Sequence, residues 1–192
     1  MSEHHHKETF ITKYIFCQDH KMIAKQFLIT GMLMAVVGML MSAMFRVQLA
    51  NPGETSFLYN LLPSNWLNEA GVLNPDKYLA LVTMHGTILV FWVLTAGLSG
   101  TFANFLIPLQ IGARDMASGF LNMLSYWFFF AATVVLISSI YVQGGPASGG
   151  WTIYPPLSAL PQSIPGSGTG MTLWLVSITL FVVGSLLGGL NY

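Results

Sequence analysis

Long uncharged apolar runs, separated by more polar segments, are the main pattern along the chain. Four such runs lie at about 27 to 45, 79 to 107, 117 to 141 and 170 to 190. A helix of roughly 20 apolar residues crosses a bilayer core about 30 Å thick. The pattern therefore predicts an all-α fold, a polytopic transmembrane helix bundle.

The composition supports a membrane protein and excludes several other classes. Of the 192 residues, 54% are hydrophobic and 7% are charged, whereas soluble domains have about 25% charged residues. The formal net charge is zero, so no basic surface indicates a nucleic acid partner. A single cysteine, Cys17, excludes an internal disulfide and a metal site built on paired thiolates.

Basic residues are concentrated on one side of the predicted spans. The larger set is Lys7, Lys13, Lys21, Lys25 and Arg114. The other side holds only Arg46 and Lys77, so the positive-inside rule predicts a cytoplasmic N-terminus. We expect a cytoplasmic arm at 1–26 and a transmembrane domain at 27–192, multi-pass in the inner (cytoplasmic) membrane.

The two ends of the chain carry further signals. Three adjacent histidines, His4, His5 and His6, lie in the arm, and because such a tract does not preorganise a site we expect only adventitious metal binding.

The first apolar run is long and lacks a small-residue cleavage signal, which predicts no signal peptide. The chain stops at "LLGGLNY" without a basic flank. We therefore expect the front part of a larger protein.

One ionisable residue, His85, stands inside the second apolar run, in "LVTMHGTILVF". It follows Tyr78, at the outer start of the span, and a rise of about 1.5 Å per residue places it about 10 Å below the outer boundary. An ionisable side chain at that depth indicates a functional site. A neutral histidine that is hydrogen-bonded to a neighbouring helix is the alternative.

Arg46 ends the first run on the same outer side as His85. A cation beside an imidazole at membrane depth favours haem as the ligand. The imidazole binds iron, and the guanidinium pairs with a carboxylate or carbonyl group at the ring edge. Gly86 leaves room for a flat macrocycle. Arg46 as an end anchor that snorkels to the interface is the alternative.

Asp115 lies in the inner turn between the second and third runs, beside Arg114. One interpretation is an exposed ion pair with Arg114. The other involves Asn104 and Asn122 on the two spans that the turn joins, because amide and carboxylate groups hold files of water that carry protons. The second interpretation predicts a proton entrance from the cytoplasm.

Several segments resemble the haem-copper oxidases, specifically subunit I of cytochrome c oxidase. "DHKMIAKQF" resembles the family's N-terminal signature, "FRVQLANPG" the end of its first helix, and "TMHGT" its low-spin haem histidine. "FANFLIPLQIGARDMASGFLNMLSYW" resembles its turn with the proton-channel aspartate, and "GGWTIYPPLS" its loop over the haem edges. The matches run in order from about residue 13 to the C-terminus.

The resemblance implies the N-terminal part of the twelve-helix subunit I fold. It implies that His85 is an axial ligand of the low-spin haem iron, with haem a as the haem type. Arg46 would be the partner of the haem formyl group. Tyr78 and Trp151 would lie near the haems, Trp151 by a propionate.

The resemblance also implies a function for the whole protein. Asp115 would be the entry acid of the proton channel called D, with Asn104 and Asn122 lining it. The implied activity is reduction of O2 to water coupled to proton pumping, with a high-spin haem and copper held by later helices. The implied partners are oxidase subunits II and III, cytochrome c or another electron donor, and membrane lipid.

This sequence departs from the family pattern at the predicted channel mouth and in the first outer loop. Arg114 stands where the family usually has proline, and Ser118, Gly119 and Phe120 replace an "FPR"-like triplet. A mouth of different shape or charge is expected. Gln48 replaces an acidic residue that helps some members to bind a cation, so we expect no such site here.

Two other functions stay open on the sequence. A quinol oxidase of the same superfamily would differ in its electron donor, which is recognised by regions outside this chain. A small helical transporter or assembly subunit without any cofactor belongs to a different class. A cofactor-free transporter or assembly subunit would show no haem absorbance after purification, whereas an oxidase subunit would.

Overall fold

The computed structural model describes residues 10–160, 163 and 168–192. His4, His5, His6 and Lys7 lie outside these residues, so the expectation for the histidine tract stays a prediction. Four long apolar helices are described: α1 (His20–Ala50), α2 (Pro75–Ile111), α3 (Gly119–Ser138) and α4 (Gly168–Asn191). The predicted all-α transmembrane bundle is confirmed.

The helix ends differ from the predicted spans for local reasons. Helix α1 begins at His20, inside the predicted arm, because the Asp19 side chain accepts a hydrogen bond from the Met22 amide at 3.3 Å and caps the helix. Helix α3 ends at Ser138, before the end of its apolar run, where the chain passes into turns. The division at residue 26 stays a prediction.

Helix α2 is not uniform. Its middle segment, Ile88–Ser99, is π-helical and lies between two α-helical segments, Pro75–Thr87 and Gly100–Ile111. The helix starts with Pro75, whose fixed φ suits the first helical position. It ends at Ile111, and the following residue, Gly112, has φ 70°, a left-handed conformation that glycine adopts without strain.

Glycines set the closest contact between α1 and α2. A Cβ atom added to Gly31 would lie 2.7 Å from the Cα atom of Gly97. Further along, Gly38 packs against Ile88 and Leu89 of α2. Because helices can approach this closely only where side chains are absent, the two glycine positions fix the register of α1 against α2.

Polar side chains join the remaining helices inside the bundle. The Trp92 indole of α2 donates to Thr133 Oγ1 of α3 at 2.9 Å, and the Trp174 indole of α4 donates to Thr87 Oγ1 of α2 at 3.1 Å. Ser177 Oγ of α4 donates to the Ala132 carbonyl of α3 at 2.7 Å. These bonds satisfy buried donors that the bilayer core cannot satisfy.

Successive helices run antiparallel, which gives the bundle two chemically different ends. The Asp115 end holds the start of α1, the turn between α2 and α3, and the end of α4, since His20 contacts Asp115 and Ser118 contacts Asn191. The Arg46 end holds the opposite termini and the two longer loops. The first loop carries short 3-10 turns at Phe57–Leu61 and Ser64–Trp66.

We expect Gly31→Ala to lower the free energy of unfolding of the full-length protein by about 1 to 3 kcal/mol, because the new methyl group forces α1 away from Gly97. Denaturant unfolding in detergent measures the change. Gly189→Ala is the matched control, since nothing lies within 4 Å of its added Cβ. Equal stability of the two variants would contradict the close approach.

Candidate functional site

His85 is half-buried on α2 and is held by the neighbouring helix α1. Its Nδ1 atom lies 2.9 Å from the Gly38 carbonyl oxygen. A carbonyl only accepts, so Nδ1 carries the proton and Nε2 keeps its lone pair. Within the described residues Nε2 has no hydrogen-bond partner. An imidazole in this tautomer, oriented by a backbone carbonyl, is arranged as a metal ligand.

His85, Phe45 and Tyr78 form a row of ring contacts toward the Arg46 end. The Phe45 ring meets the imidazole edge to face, with centroids 5.4 Å apart, and Tyr78 meets Phe45 in the same way at 6.1 Å. Phe45 therefore separates Tyr78 from His85. The predicted residue Tyr78 lies near the imidazole, one ring away from it.

Trp151 reaches the His85 region from the loop between α3 and α4. Its Cδ1 atom lies 3.7 Å from the position of a Cβ atom at Gly86, and its ring meets Phe91 edge to face at 5.7 Å. The Trp151 side chain is 47% exposed. The structure thus brings a tryptophan from a distant loop beside the residue that follows His85.

Arg46 follows Phe45 on α1 and is exposed. It lies eight residues after Gly38, which corresponds to about 12 Å along the helix axis. None of the residues that the structure describes forms an ion pair or a hydrogen bond with its guanidinium. Its donors are therefore unpaired within the described part of the chain and can bind a further group.

Asp115 is bound by His20 at the opposite end of the bundle. Its Oδ1 atom accepts from the Met116 amide at 2.7 Å, from the His20 amide at 3.3 Å and from His20 Nδ1 at 3.1 Å. The Asp115 side chain is 42% exposed, and that of His20 is 3% exposed. Arg114 is exposed and makes no ion pair with Asp115 in the described part of the chain. The partner of Asp115 is thus an imidazole.

Asn104 and Asn122 are buried amides with unsatisfied polar atoms. Asn104 donates to the Gly100 carbonyl at 2.7 Å, but its Oδ1 atom has no partner among the described residues. The Nδ2 and Oδ1 atoms of Asn122 also have no hydrogen-bond partner among the described residues. A buried polar group without a partner costs about 1 to 3 kcal/mol, and in membrane and soluble proteins water often supplies the missing bond.

A cavity whose walls are more apolar than polar begins one helical turn beyond Asn122. Ser125 lines it, together with Ser99, Ser185 and the Tyr192 ring, and its volume is about 170 Å³. A water molecule occupies about 30 Å³ in the liquid. The cavity is large enough for several waters that would meet these hydroxyl groups.

Sequence reasoning missed two residues at the Asp115 end. His20, which is hydrogen-bonded to Asp115, lies in the segment "DHKMIAKQF", but the sequence predicts no role for it. Asn191 is 2% exposed, accepts from the Ser118 amide at 2.7 Å, and has no partner for Nδ2 in the described structure. The available signal was the same one that singled out Asn104: a polar side chain at the edge of an apolar run.

Gln48, the predicted departure near the end of α1, has a protein partner. Its Oε1 atom accepts a hydrogen bond from the Tyr59 hydroxyl at 2.9 Å. Burial raises the pKa of the Tyr59 phenol, so the hydroxyl keeps its proton. This bond joins the first loop to α1 through two neutral groups. An acidic residue at position 48 would favour a bound cation, and Gln48 supplies no negative charge.

These features define a polytopic membrane protein with an oriented imidazole near one end and a set of buried amides near the other. The chain matches the family described as "Cytochrome C and Quinol oxidase polypeptide I" over residues 22–192. It belongs to this family, the haem-copper oxidase subunit I proteins, and the resemblance found in the sequence is confirmed.

Individual relatives support the same assignment. The alternative cytochrome c oxidase subunit 1 of Bradyrhizobium diazoefficiens is 42% identical over 190 residues, which are 99% of this chain and 29% of that protein. Cytochrome c oxidase subunit 1 of Synechocystis is 35% identical over 194 residues, 100% of this chain and 30% of the relative. The Candida albicans protein of that name is 35% identical over 96% of this chain and 31% of the relative. The chain thus spans less than a third of the length of these curated relatives.

Proposed function

We propose that this chain is the haem-binding and proton-admitting part of the catalytic subunit of a respiratory terminal oxidase. The observation that carries the proposal is the hydrogen bond from His85 Nδ1 to the Gly38 carbonyl, which leaves Nε2 free for a metal. The activity of the whole subunit is reduction of O2 to water, coupled to proton pumping across the membrane.

His85 is the proposed axial ligand of the low-spin haem. The haem, when bound, supplies one-electron transfer without an open coordination site. The protein supplies an imidazole in a fixed tautomer. The next residue, Gly86, has no side chain, and Trp151 packs over it. Tyr78 and Phe45 keep the outer side of the imidazole apolar. Burial of this kind tunes the potential of a redox group.

Arg46 is the proposed partner of the formyl group of a haem a. Its guanidinium is unpaired among the described residues and lies on the same side of the bundle as Tyr78, and five fixed N–H donors suit a carbonyl or carboxylate group at a ring edge. An interfacial anchor would also leave these donors unpaired, so the optical spectrum of Arg46→Met decides between the two roles.

Asp115 is the proposed entry acid of a proton pathway that continues along Asn104 and Asn122. Its carboxylate is partly exposed and therefore accessible from the medium. Waters bound to the unsatisfied amide atoms and to the hydroxyls of the 170 Å³ cavity form the path beyond it. The amides carry no charge, so they hold the water without trapping the proton.

The electron donor and the partners follow from the family. The family description covers cytochrome c and quinol oxidases, while the relatives described above are cytochrome c oxidases. We favour cytochrome c, with subunits II and III as partners and a high-spin haem and copper held by later helices. We place the protein in the inner (cytoplasmic) membrane with its N-terminus in the cytoplasm, since Lys13, Lys21, Lys25 and Arg114 lie at the Asp115 end.

A cofactor-free transporter or assembly subunit is the alternative from another class. A structural histidine bonded to a neighbouring helix would also explain the contact of Nδ1 with the Gly38 carbonyl. The free Nε2 atom and the family of the chain favour the haem ligand. A pyridine haemochrome spectrum of the purified full-length protein separates the two functions: haem is expected, and its absence would refute the proposal.

We expect His85→Ala to remove the low-spin haem signal from the optical spectrum while the four helices still insert, because apolar length drives insertion. His20→Ala is the matched control: it removes an imidazole at the opposite end and should leave the spectrum normal. A normal low-spin spectrum in His85→Ala would contradict the ligand assignment.

Arg46→Met should shift the visible band of the low-spin haem to shorter wavelength. A hydrogen bond to a conjugated formyl group draws electron density outward and narrows the electronic gap, and methionine cannot donate one. The measurement is the absorption maximum at unchanged haem content. An unchanged band in an intact oxidase would place Arg46 among the interfacial anchors.

Asp115→Asn in the complete enzyme should lower steady-state oxygen consumption severalfold or more and abolish proton pumping, because the entry acid is lost while its shape is kept. Haem spectra should stay normal, since the change lies at the end opposite His85. Oxygen uptake and proton release by reconstituted vesicles measure the effect.

Glu69→Gln, in the exposed loop at the Arg46 end, is the control for a lost surface carboxylate and should behave as the unmodified enzyme. If Asp115→Asn also kept full uptake and full proton release, Asp115 would be an ordinary surface carboxylate, worth about 0 to 1 kcal/mol in any ion pair.

A further inference from the structure

The segment Gly144–Trp151, here called the strap, connects the end of α3 to the His85 region. Four consecutive residues of the strap, at 145–148, are buried, although the segment has no regular secondary structure. The residues that follow it, 152–160, are mostly exposed. Something specific must therefore hold this glycine-rich, uncharged segment in the bundle, because its conformational entropy favours release.

Lys77, near the start of α2, holds one end of the strap. Its Nζ atom donates a hydrogen bond to the Gly144 carbonyl, and a Cβ atom at Gly145 would lie only 3.0 Å from the same Nζ. Gly144 and Gly145 have φ of 89° and 82°, a conformation that turns this carbonyl toward α2. A hydrogen bond from an ammonium group is charge-assisted and stronger than a neutral one.

Helix α4 covers the strap from the opposite side. A Cβ atom at Gly170, in the first turn of α4, would overlap the Gly145 carbonyl oxygen and lie 2.8 Å from Pro146 Cα. The strap backbone is thus enclosed between Lys77 and α4. No side chain other than hydrogen fits at position 170 without moving it.

Thr83 holds the other end of the strap. Its Oγ1 atom accepts a hydrogen bond from the Gly150 amide at 2.9 Å, and Thr83 is 4% exposed. Thr83 lies about 9 Å along α2 from Lys77 and one turn before Gly86. The next residue of the strap, Trp151, packs over Gly86.

We propose that Lys77 and Thr83 are positioning residues that hold the strap on α2 and thereby keep the Trp151 ring over Gly86, beside the haem ligand His85. The inference rests on the proposed function for its effect on haem, while the two anchors rest on the contacts alone. Trp151 held in this place would limit the access of water to a haem bound by His85. Water stabilises the more highly charged oxidised form, so a released strap lowers the midpoint potential of the low-spin haem.

The test uses the haem-loaded, full-length oxidase with Lys77→Met and Thr83→Val, measured in two ways. Hydrogen exchange of the peptide that contains residues 144–151 should become tenfold faster or more in both variants. The midpoint potential of the low-spin haem should fall in both. Thr83→Val matters most, because it removes one anchor without changing any charge.

Two control variants separate the strap from other causes. Thr83→Ser keeps the accepting hydroxyl and should retain slow exchange and the original potential. Asp76→Asn changes the charge by one unit beside Lys77 and should leave exchange unchanged. If only the charged positions shifted the potential, in opposite directions, and exchange stayed slow throughout, the effect would be purely electrostatic and the proposal would be overturned.

Failure of this inference differs from failure of the proposed function. An unmodified protein without haem would refute the function, and the exchange measurement would still test the anchors. Unchanged exchange in both Lys77→Met and Thr83→Val would overturn the inference by itself, whatever the haem content.

Discussion

The hydrogen bond between His85 Nδ1 and the Gly38 carbonyl links the packing of the bundle to its chemistry. It forms because α1 and α2 lie close together, and they lie close because Gly31 and Gly97 carry no side chains where they meet. A shift of either helix along its axis would move the carbonyl away from the imidazole. The tautomer of His85, and with it the free lone pair on Nε2, therefore depends on a packing contact elsewhere in the helix pair.

The two ends of the bundle differ in the environment of their polar groups. Near the Arg46 end, the Phe45 ring packs on the imidazole, and Lys77 and Thr83 hold the strap against α2 beside it. Near the Asp115 end, buried amides keep unpaired atoms at an expected cost of about 1 to 3 kcal/mol each. A dry environment suits electron transfer, and a wet one suits proton transfer. The arrangement suits the proposed function, in which the two transfers take place at separate ends of the bundle.

Much of the fold and part of the site follow from local sequence. Spans of apolar residues predicted the four helices, because the bilayer thickness fixes the length that is needed. His85, Arg46 and Asp115 stand out in the sequence as charged or ionisable groups in or beside apolar runs, and their proposed roles stay predictions. The π-helical segment at Ile88–Ser99 was not predicted, since the change from α to π turns depends on packing that leaves no periodic signal.

The sequence by itself determined where along its helix each residue lies, because that position is a matter of counting from the helix ends. It could not determine which side chains meet between helices. The pairing of His20 with Asp115 joins residues 95 positions apart, and the contact of Trp151 with Gly86 joins a loop to a helix. Only the tertiary structure decided these contacts, since each depends on the rotation and register of helices that close glycine contacts set. For the same reason it replaced the sequence-adjacent Arg114 with His20 as the partner of Asp115.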